Sequence, residues 1–334
     1  MLKPTLNRYL AGLASLRLTS AGLVILGLGL AAHHEFEALA PWTIVLPIGL
    51  LAVNLAAALL VDQRFRGRPA LFGFHVCLLV LAGLAAWGKL ASVHGRLIAI
   101  EGLRLDPDQV EVVSSGPWAP DLAAIGDLSQ GPLRVDYAAG LDRRSTASEL
   151  HVPGSGWRVV GDDVPLVHRG FRLYTTPNKG FAAIITWIPD AGAPQAGSIG
   201  FPSFPARQIM QQVDWRTPGA EDVRLRLETP LVETAGHWTL AQTLIADAAV
   251  EVQVADRRQR LLPGQQMALS GGSIRLERVA LWVGYRLTYI PGLVWLLSTA
   301  MIATVLMAIH VMLPPSKRRP VQIEVPATGG TLCQ

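Results

Sequence analysis

The sequence predicts a membrane protein in which three transmembrane helices, a large β-rich domain and a fourth transmembrane helix follow one another. Half of its 334 residues are hydrophobic and only 16% are charged, whereas about 25% are charged in ordinary soluble proteins. The apolar residues form four blocks without Asp, Glu, Lys or Arg, at 18–34, 41–61, 70–88 and 287–313. Between the third and fourth blocks, short β-branched runs alternate with Gly, Pro and Asp, which is typical of strands joined by turns.

Each apolar block predicts a helix that crosses a bilayer. A helix rises about 1.5 Å per residue and the hydrocarbon core is about 30 Å thick, so about 20 apolar residues are needed. We therefore predict four transmembrane helices, near 18–35, 41–61, 70–91 and 289–313. The first three belong to a membrane domain of residues 1–91, and the fourth belongs to the segment 286–313. Asn54, in the middle of the second helix, is expected to hydrogen-bond to another helix.

The charges that flank the helices predict that both chain termini face the cytoplasm, because Lys and Arg are retained on that side of a membrane. The short segments on the predicted inner side are rich in basic residues: Lys3, Arg8, Arg17, Arg64, Arg66, Arg68, Lys317, Arg318 and Arg319. The short outer loop, 33–40, carries Glu35 and Glu37 and no Lys or Arg. Residues 92–285 then lie outside, and their 18 basic and 21 acidic residues make them slightly negative although the whole chain carries +4.

A cleaved secretory signal peptide is the competing interpretation of the first apolar block. Ala38, Leu39 and Ala40 resemble a cleavage site with small residues at its first and third positions. Pro41 follows directly and argues against cleavage. Removal of the first helix would also place the Arg-rich loop at 64–68 on the wrong side of the membrane unless the second helix inverted.

Residues 92–285 predict an extracytoplasmic β-rich domain, either a sandwich or an open barrel. Eight runs are expected to be strands: 110–113, 133–137, 158–160, 171–175, 183–188, 223–227, 250–254 and 273–281. Two of them, 223–227 and 250–254, alternate apolar and polar residues as half-buried strands do. Only 205–213 is expected to be helical, and the tail at 314–334 is expected to be a disordered cytoplasmic segment.

Composition and motifs exclude most catalytic and metal-binding classes. Two cysteines, Cys77 and Cys333, are too few for a zinc ribbon, a disulfide-rich fold or a CxxC or CxxCH site. The small, scattered charge of +4 does not indicate nucleic-acid binding. No GxSxG, HExxH, Walker or EF-hand pattern occurs in the sequence. We therefore expect a protein that is not itself an enzyme.

Histidines in or beside the apolar blocks are the candidate functional residues, because an ionisable group inside a membrane is costly and is a functional candidate by default. His75 and His310 lie roughly 5 to 8 Å from the cytoplasmic ends of the third and fourth predicted helices. His33, His34 and His94 lie at the opposite, outer ends. Neutral imidazole is a common axial ligand of haem iron, which makes His75 a candidate haem ligand and His310 a second candidate. The alternative for His75 is a hydrogen bond to a neighbouring backbone carbonyl.

Several short motifs follow one another in a characteristic order. Ala-Ser-Leu-Arg-Leu-Thr at 14–19 opens the first helix, Val-Pro-Leu at 164–166 precedes Gly-Phe-Arg-Leu-Tyr at 170–174 and the stretch 181–187, and Pro-Gly-Leu-Val-Trp-Leu at 291–296 enters the last helix. With three helices before and one after an outer β-rich domain, the chain resembles the ResB family, also called the CcsB family, of cytochrome c biogenesis proteins. The resemblance extends over essentially the whole chain.

The resemblance implies a component of a cytochrome c haem lyase complex in the bacterial cytoplasmic (inner) membrane. Members pair with CcsA, also called ResC, a haem-handling membrane protein, and the pair exports haem b for attachment to apocytochrome c. A histidine near the cytoplasmic end of the family's third helix contributes to the inner haem site, and that position matches His75. The second ligand is expected from the partner, so the resemblance adds nothing for His310.

Two departures from the family pattern leave a second hypothesis open. Ile290 stands where the family usually has an acidic residue before the Pro-Gly of the last helix, and the outer domain is shorter than is common. The alternative is a ResB-like structural or electron-transfer subunit of another membrane oxidoreductase complex.

Overall fold

The structure, a computed structural model, describes residues 4–36, 40–62, 65, 68–138, 142–161, 163–204, 211–228, 238–241 and 245–312. The chain divides into two compact units. One draws its residues from Met1–Gly22, Gly49–Leu84 and Val294–Gln334, and the other from Leu23–Ile48 and Ala85–Leu293.

The helices are α1 (Pro4–Leu13), α2 (Leu16–Glu35), α3 (Trp42–Val61), α4 (Pro69–Ala91) and α5 (Leu293–Met312). Four of them, α2 to α5, have 20 or more residues and are apolar enough to cross a membrane. This confirms four helices of spanning length, three before and one after the β-rich region. The short α1 helix is not among the elements that the sequence predicts.

The predicted polar contact of Asn54 is also confirmed. Thr19 on α2 donates from Oγ1 to Oδ1 of Asn54 on α3 over 2.7 Å. The Asn54 amide nitrogen donates to the carbonyl oxygens of Leu13 at 2.6 Å and Ser15 at 3.1 Å. Leu13 is the last residue of α1, so the Asn54 amide pairs with a backbone carbonyl that a helix end leaves free, and through Ser15 it also contacts the start of α2.

The fourth spanning helix begins at Leu293, later than the predicted start near 289. The predicted segment 286–313 is therefore wrong at its first residues, which belong to a strand. The preceding strand continues to Tyr289, which pairs with Val93 on one side and Phe171 on the other. These ladder hydrogen bonds hold the chain extended. Gly292 then adopts a positive φ of 72° directly before the helix, a conformation that favours glycine.

The strands are β1 (Val93–Ile100), β2 (Glu111–Ser115), β3 (Ser129–Tyr137), β4 (Arg143–Val152), β5 (Gly156–Gly161), β6 (Leu166–His168), β7 (Phe171–Pro189), β8 (Gln195–Gly200), β9 (Gln212–Arg216), β10 (Asp222–Glu228), β11 (Trp238–Ala241), β12 (Ala249–Val254), β13 (Arg257–Leu261), β14 (Gln266–Leu269) and β15 (Gly272–Tyr289). They confirm a large β-rich region between α4 and α5.

The strand pairings are antiparallel and form three sheets in the described residues. The largest has the order β2-β1-β15-β7-β6, with β14 added to β15 and β8 added to β7. The two four-stranded sheets have the orders β13-β12-β10-β9 and β11-β3-β4-β5. The arrangement is therefore more divided than the two facing sheets of a simple sandwich.

The long strands β7 and β15 pair with each other in the largest sheet, and β7 shows that one prediction is wrong. The sequence suggests separate strands at 171–175 and 183–188, but both belong to β7. Three residues of β7, 176–178, stand opposite the single residue Gly284 at a register shift, where Thr176 Oγ1 donates to the Gly284 carbonyl over 2.9 Å. Pro177 is tolerated there because a bulge interrupts the ladder and requires no N–H from it.

One hydrophobic core joins the three sheets. Val135, Leu225 and Leu281, each from a different sheet, are fully buried members of one cluster. The predicted alternation at 223–227 is confirmed, since the apolar residues of β10 are buried and the charged ones are exposed. The β-rich region is therefore held together by its own core.

Some predictions fall partly or wholly outside the described residues. Of the helix predicted at 205–213, residues 205–210 lie outside them, and the remainder is wrong because Val213 is in β9 and pairs with Leu225. The tail predicted to be disordered, 314–334, lies outside them, as do several of the flanking basic residues and part of the alternative cleavage site.

Candidate functional site

His75 lies six residues after the start of α4, and its ring is held by its own helix. Its Nδ1 lies 2.7 Å from the carbonyl oxygen of Leu71, one turn earlier. A carbonyl can only accept, so Nδ1 carries a proton, and in the neutral ring Nε2 then keeps its lone pair. The hydrogen bond from His75 to a neighbouring carbonyl, which is the alternative to haem binding, is thus present. It is also the bond that fixes the ring of a typical metal-ligating histidine.

Two phenylalanine rings flank the His75 imidazole. The ring of Phe65, in the segment before α4, has its centroid 4.8 Å away at an interplanar angle of 64°. The ring of Phe74 lies 5.2 Å away at 86°. Both contacts are edge-to-face, and they leave the imidazole half-buried. The histidine therefore sits in an apolar and aromatic environment, which suits a planar hydrophobic ligand.

His310, the second candidate, lies two residues before the end of α5 and is not brought to the same position. Gly73 of α4 packs against Leu306 of α5, because an added Cβ at Gly73 would lie 3.1 Å from Leu306 Cδ1. At about 100° and 1.5 Å per residue, His75 is turned roughly 200° away from the Gly73 face, and His310 continues one turn beyond Leu306. Since the two helices run in opposite directions, the histidines are about 9 Å apart along the helix axes.

The described residues at this position would offer a haem group one protein ligand, His75. His75 offers one imidazole, whose Nε2 forms no hydrogen bond within the described residues, in apolar surroundings. No group of three or more metal-binding side chains occurs among the described residues, and His310 does not face His75. One axial ligand is therefore available at this position from the described part of the chain.

The outer histidines form a second cluster together with a lysine. His33, near the end of α2, has its Nε2 2.6 Å from the Nζ of Lys89, near the end of α4. His94 follows in β1, where it pairs with Thr288 of β15 and Ser114 of β2. Burial lowers the pKa of His94, and the positive charges of Lys89 and Arg286 lower it further. The cluster therefore combines the positive charges of Lys89 and Arg286 with a His94 ring whose protonated form is disfavoured.

Lys89 is not among the functional residues that the sequence predicts. Two features of the sequence could have identified it: Lys89 is one of four lysines in the chain, and it stands at the predicted outer end of a membrane helix. A basic residue at that end runs against the general preference of Lys and Arg for the cytoplasmic side. Its pairing with His33, 56 positions earlier, depends on how α2 and α4 pack and has no sequence signature.

Comparison with known proteins does not assign the chain to a family. A scan against protein-family models found no match, and a search of curated proteins found none either.

Proposed function

We propose that this protein is a haem-handling scaffold of the bacterial cytoplasmic membrane, similar to the ResB family of cytochrome c biogenesis proteins. In this proposal its membrane helices complete a haem channel with a CcsA-like partner, and the pair exports haem b for attachment to apocytochrome c. The β-rich domain lies on the outer side and positions apocytochrome or the partner. The chain binds and presents haem and does not itself catalyse its attachment.

The geometry of His75 carries the proposal. Its Nδ1 donates to the Leu71 carbonyl over 2.7 Å, so the ring has a fixed tautomer and its Nε2 lone pair is free to bind iron. Bound haem would supply an iron that accepts this lone pair. The Phe65 and Phe74 rings beside the imidazole would shield it from water and offer apolar contacts to the macrocycle. The second axial ligand would come from the partner.

The positions of three tryptophans support the proposal that these helix ends lie at a membrane interface. Trp42 opens α3, Trp87 lies in the last turn of α4 and Trp295 lies in the first turn of α5, so all three mark the helix ends that adjoin the β-rich region or the short outer loop. All three side chains are exposed. Tryptophan favours the membrane interface, which agrees with helix ends at the headgroup level on that side.

The experiment is a reduced-minus-oxidised absorption spectrum of the detergent-purified chain, co-expressed with and without a CcsA-like partner. We expect a b-type haem signal with the partner, its loss in His75→Ala and its partial recovery when imidazole is added to the purified variant. His310→Ala is the matched control and should keep the signal, because His310 does not face His75.

Two outcomes would contradict the proposal. Absence of haem with and without the partner would remove His75 as a ligand and favour the structural or electron-transfer subunit. An unchanged signal in His75→Ala would place the iron elsewhere. Equal amounts of purified wild-type and variant protein, with matching tryptophan fluorescence, would show that any loss of haem is not a loss of fold.

A further inference from the structure

A cavity of about 330 Å³ lies at the outer ends of α2 and α4, beside strand β2. Its walls include two basic side chains, His33 and Lys89, and three hydroxyl side chains, Ser92, Ser114 and Ser115. The wall therefore combines hydrogen-bond donors from two helices and one strand. The histidine proposed to bind haem is not among the residues that line this cavity, so its chemistry is independent of the proposed function.

The charge of Lys89 is not matched by a carboxylate in the described part of the chain. Its one hydrogen-bonded side chain there is His33, and none of the ion pairs found among the described residues includes Lys89. When the ammonium donates to His33 Nε2, two of its three N–H groups remain free. The charge of Arg286, which acts on His94 together with that of Lys89, has the same sign, so an anion is attracted to this region.

His33 provides a second unsatisfied donor. Because its Nε2 accepts from Lys89, its proton lies on Nδ1. That atom is shielded from solvent and has no hydrogen-bond partner in the described residues. A buried polar atom without a partner is costly, and an oxygen-rich anion in the cavity would accept from it or from Lys89.

Three exposed tryptophans lie within two residues of the cavity wall in sequence. Trp42, one residue from the cavity wall at Pro41, is 45% exposed, Trp87 is 43% exposed and Trp118 is 60% exposed. Trp118 is tied to the end of α4, because its N–H donates to the Leu90 carbonyl over 2.9 Å. Amphipathic tryptophan rings favour the headgroup region. Tryptophans at these positions therefore suit a cavity at the level of the lipid headgroups.

We propose that this cavity binds a phosphate group, with Lys89 as the charged donor. An outer-leaflet phospholipid is the source that the location favours, and inorganic phosphate is the soluble source with the same chemistry. Lys89 contacts the phosphate oxygens through its two free N–H groups, and the Ser114 hydroxyl adds a further donor. By contrast, Ser92 and Ser115 already donate to the carbonyls of Lys89 and Gly116. The occupied cavity ties the end of α4 to β2.

The test uses the full-length protein, extracted from membranes and examined by native mass spectrometry for retained phosphatidylglycerol. A second arm titrates inorganic phosphate into delipidated protein by calorimetry. Lys89→Gln should lower the affinity for the bound phosphate source by about tenfold or more, the scale of losing a charge-assisted hydrogen bond. Lys89→Arg should retain most of it. Arg158→Gln, which removes an exposed positive charge on β5, is the matched control and should bind as the wild type does.

Each outcome decides the proposal. Lipid retention that is lost in Lys89→Gln supports a lipid site, and phosphate binding without lipid retention supports a site for the soluble ion. Equal retention and equal phosphate binding in wild type and Lys89→Gln would overturn the proposal, as would equal losses in Lys89→Gln and Arg158→Gln. If Lys89→Gln cannot be purified, His33→Ala replaces it, and unchanged binding in that variant would count against the site.

Discussion

The hydroxyl oxygens of Ser148 and Tyr285 lie 2.6 Å apart inside the hydrophobic core of the β-rich region. The Tyr285 hydroxyl donates onward to Gln130 Oε1 over 2.9 Å, and Gln130 Nε2 donates to Ser148 Oγ over 2.7 Å. Neither hydroxyl side chain is exposed to solvent. Three polar side chains from β3, β4 and β15 thus close a ring of hydrogen bonds, which joins two of the three sheets.

Tyr285→Phe should destabilise the β-rich region because it removes one member of this ring and leaves Gln130 Oε1 buried without its donor. We expect a loss of about 1 to 3 kcal/mol in the free energy of unfolding, the usual cost of an unsatisfied buried polar group. Thermal unfolding of the full-length protein, followed by tryptophan fluorescence, measures it. Tyr289→Phe is the control, since the Tyr289 ring packs against Phe171 and its hydroxyl forms no hydrogen bond within the described residues. Equal losses in the two variants would contradict a role for the ring.

Glu101 should make the stability of the protein depend on pH near neutrality. Burial raises the pKa of this carboxyl to about 7, and the opposing effect of Arg278 only reduces the shift. Because the folded state then holds its proton more tightly than the unfolded state, stability should be highest below about pH 4.5. It should fall as the pH rises from there to about 7, and level off above it.

The expected loss over this interval is about 2 kcal/mol, which is less than the full shift implies because part of the site is solvated. Glu101→Gln should remove this component and be the more stable protein at pH 8. Thermal unfolding of both proteins from pH 4 to 8 measures the difference. Parallel pH profiles for wild type and Glu101→Gln would show that the carboxyl is not responsible.

The contact between Thr19 and Asn54 should contribute measurably to packing in the membrane. Interhelical hydrogen bonds in membrane proteins average about 0.6 kcal/mol, with a maximum near 1.7. We expect a coupling of this size in a double-mutant cycle of Thr19→Val and Asn54→Leu, measured by SDS titration in mixed micelles. Thr304→Val is the control. Thr304 Oγ1 donates to the Ala300 carbonyl of its own helix over 2.9 Å, so this variant loses a hydroxyl group without losing a hydrogen bond between helices. Zero coupling between Thr19 and Asn54 would mean that the contact does not stabilise the pair.

The elements that the sequence predicted well are those whose signal is local. Spanning helices and alternating strands are recognised from the composition and periodicity of a single segment. That pattern predicts that the element exists, but it does not fix the residue at which the element ends. The hydrogen bond of His75 is also local, since Leu71 is one turn away. By contrast, the continuity of β7 through Pro177 depends on the bulge opposite Gly284. The cluster of His33 and Lys89 likewise depends on contacts between distant segments, which one sequence does not encode in any readable pattern.

Gly116 should be intolerant of substitution because it closes the end of α4. Its N–H donates to the Ser92 carbonyl over 2.9 Å, and Trp118 donates to the Leu90 carbonyl over the same distance. These bonds satisfy carbonyls that the end of a helix leaves free. A Cβ on residue 116 would overlap the Leu90 carbonyl oxygen, and neither backbone segment can move without breaking one of these bonds.

Gly116→Ala is therefore expected to lower the stability by roughly 2 kcal/mol or more, as backbone collisions do. Gly197→Ala on β8 is the matched control, because no atom lies within 4 Å of the position of its added Cβ, and a change within about 0.5 kcal/mol is expected there. Thermal unfolding of the two variants in the same detergent makes the comparison. Limited proteolysis should then cut Gly116→Ala faster than Gly197→Ala near residue 116 and the end of α4, since the strain is local to that contact. Equal stability and equal cleavage of the two variants would mean that the α4 end can shift to accept a side chain.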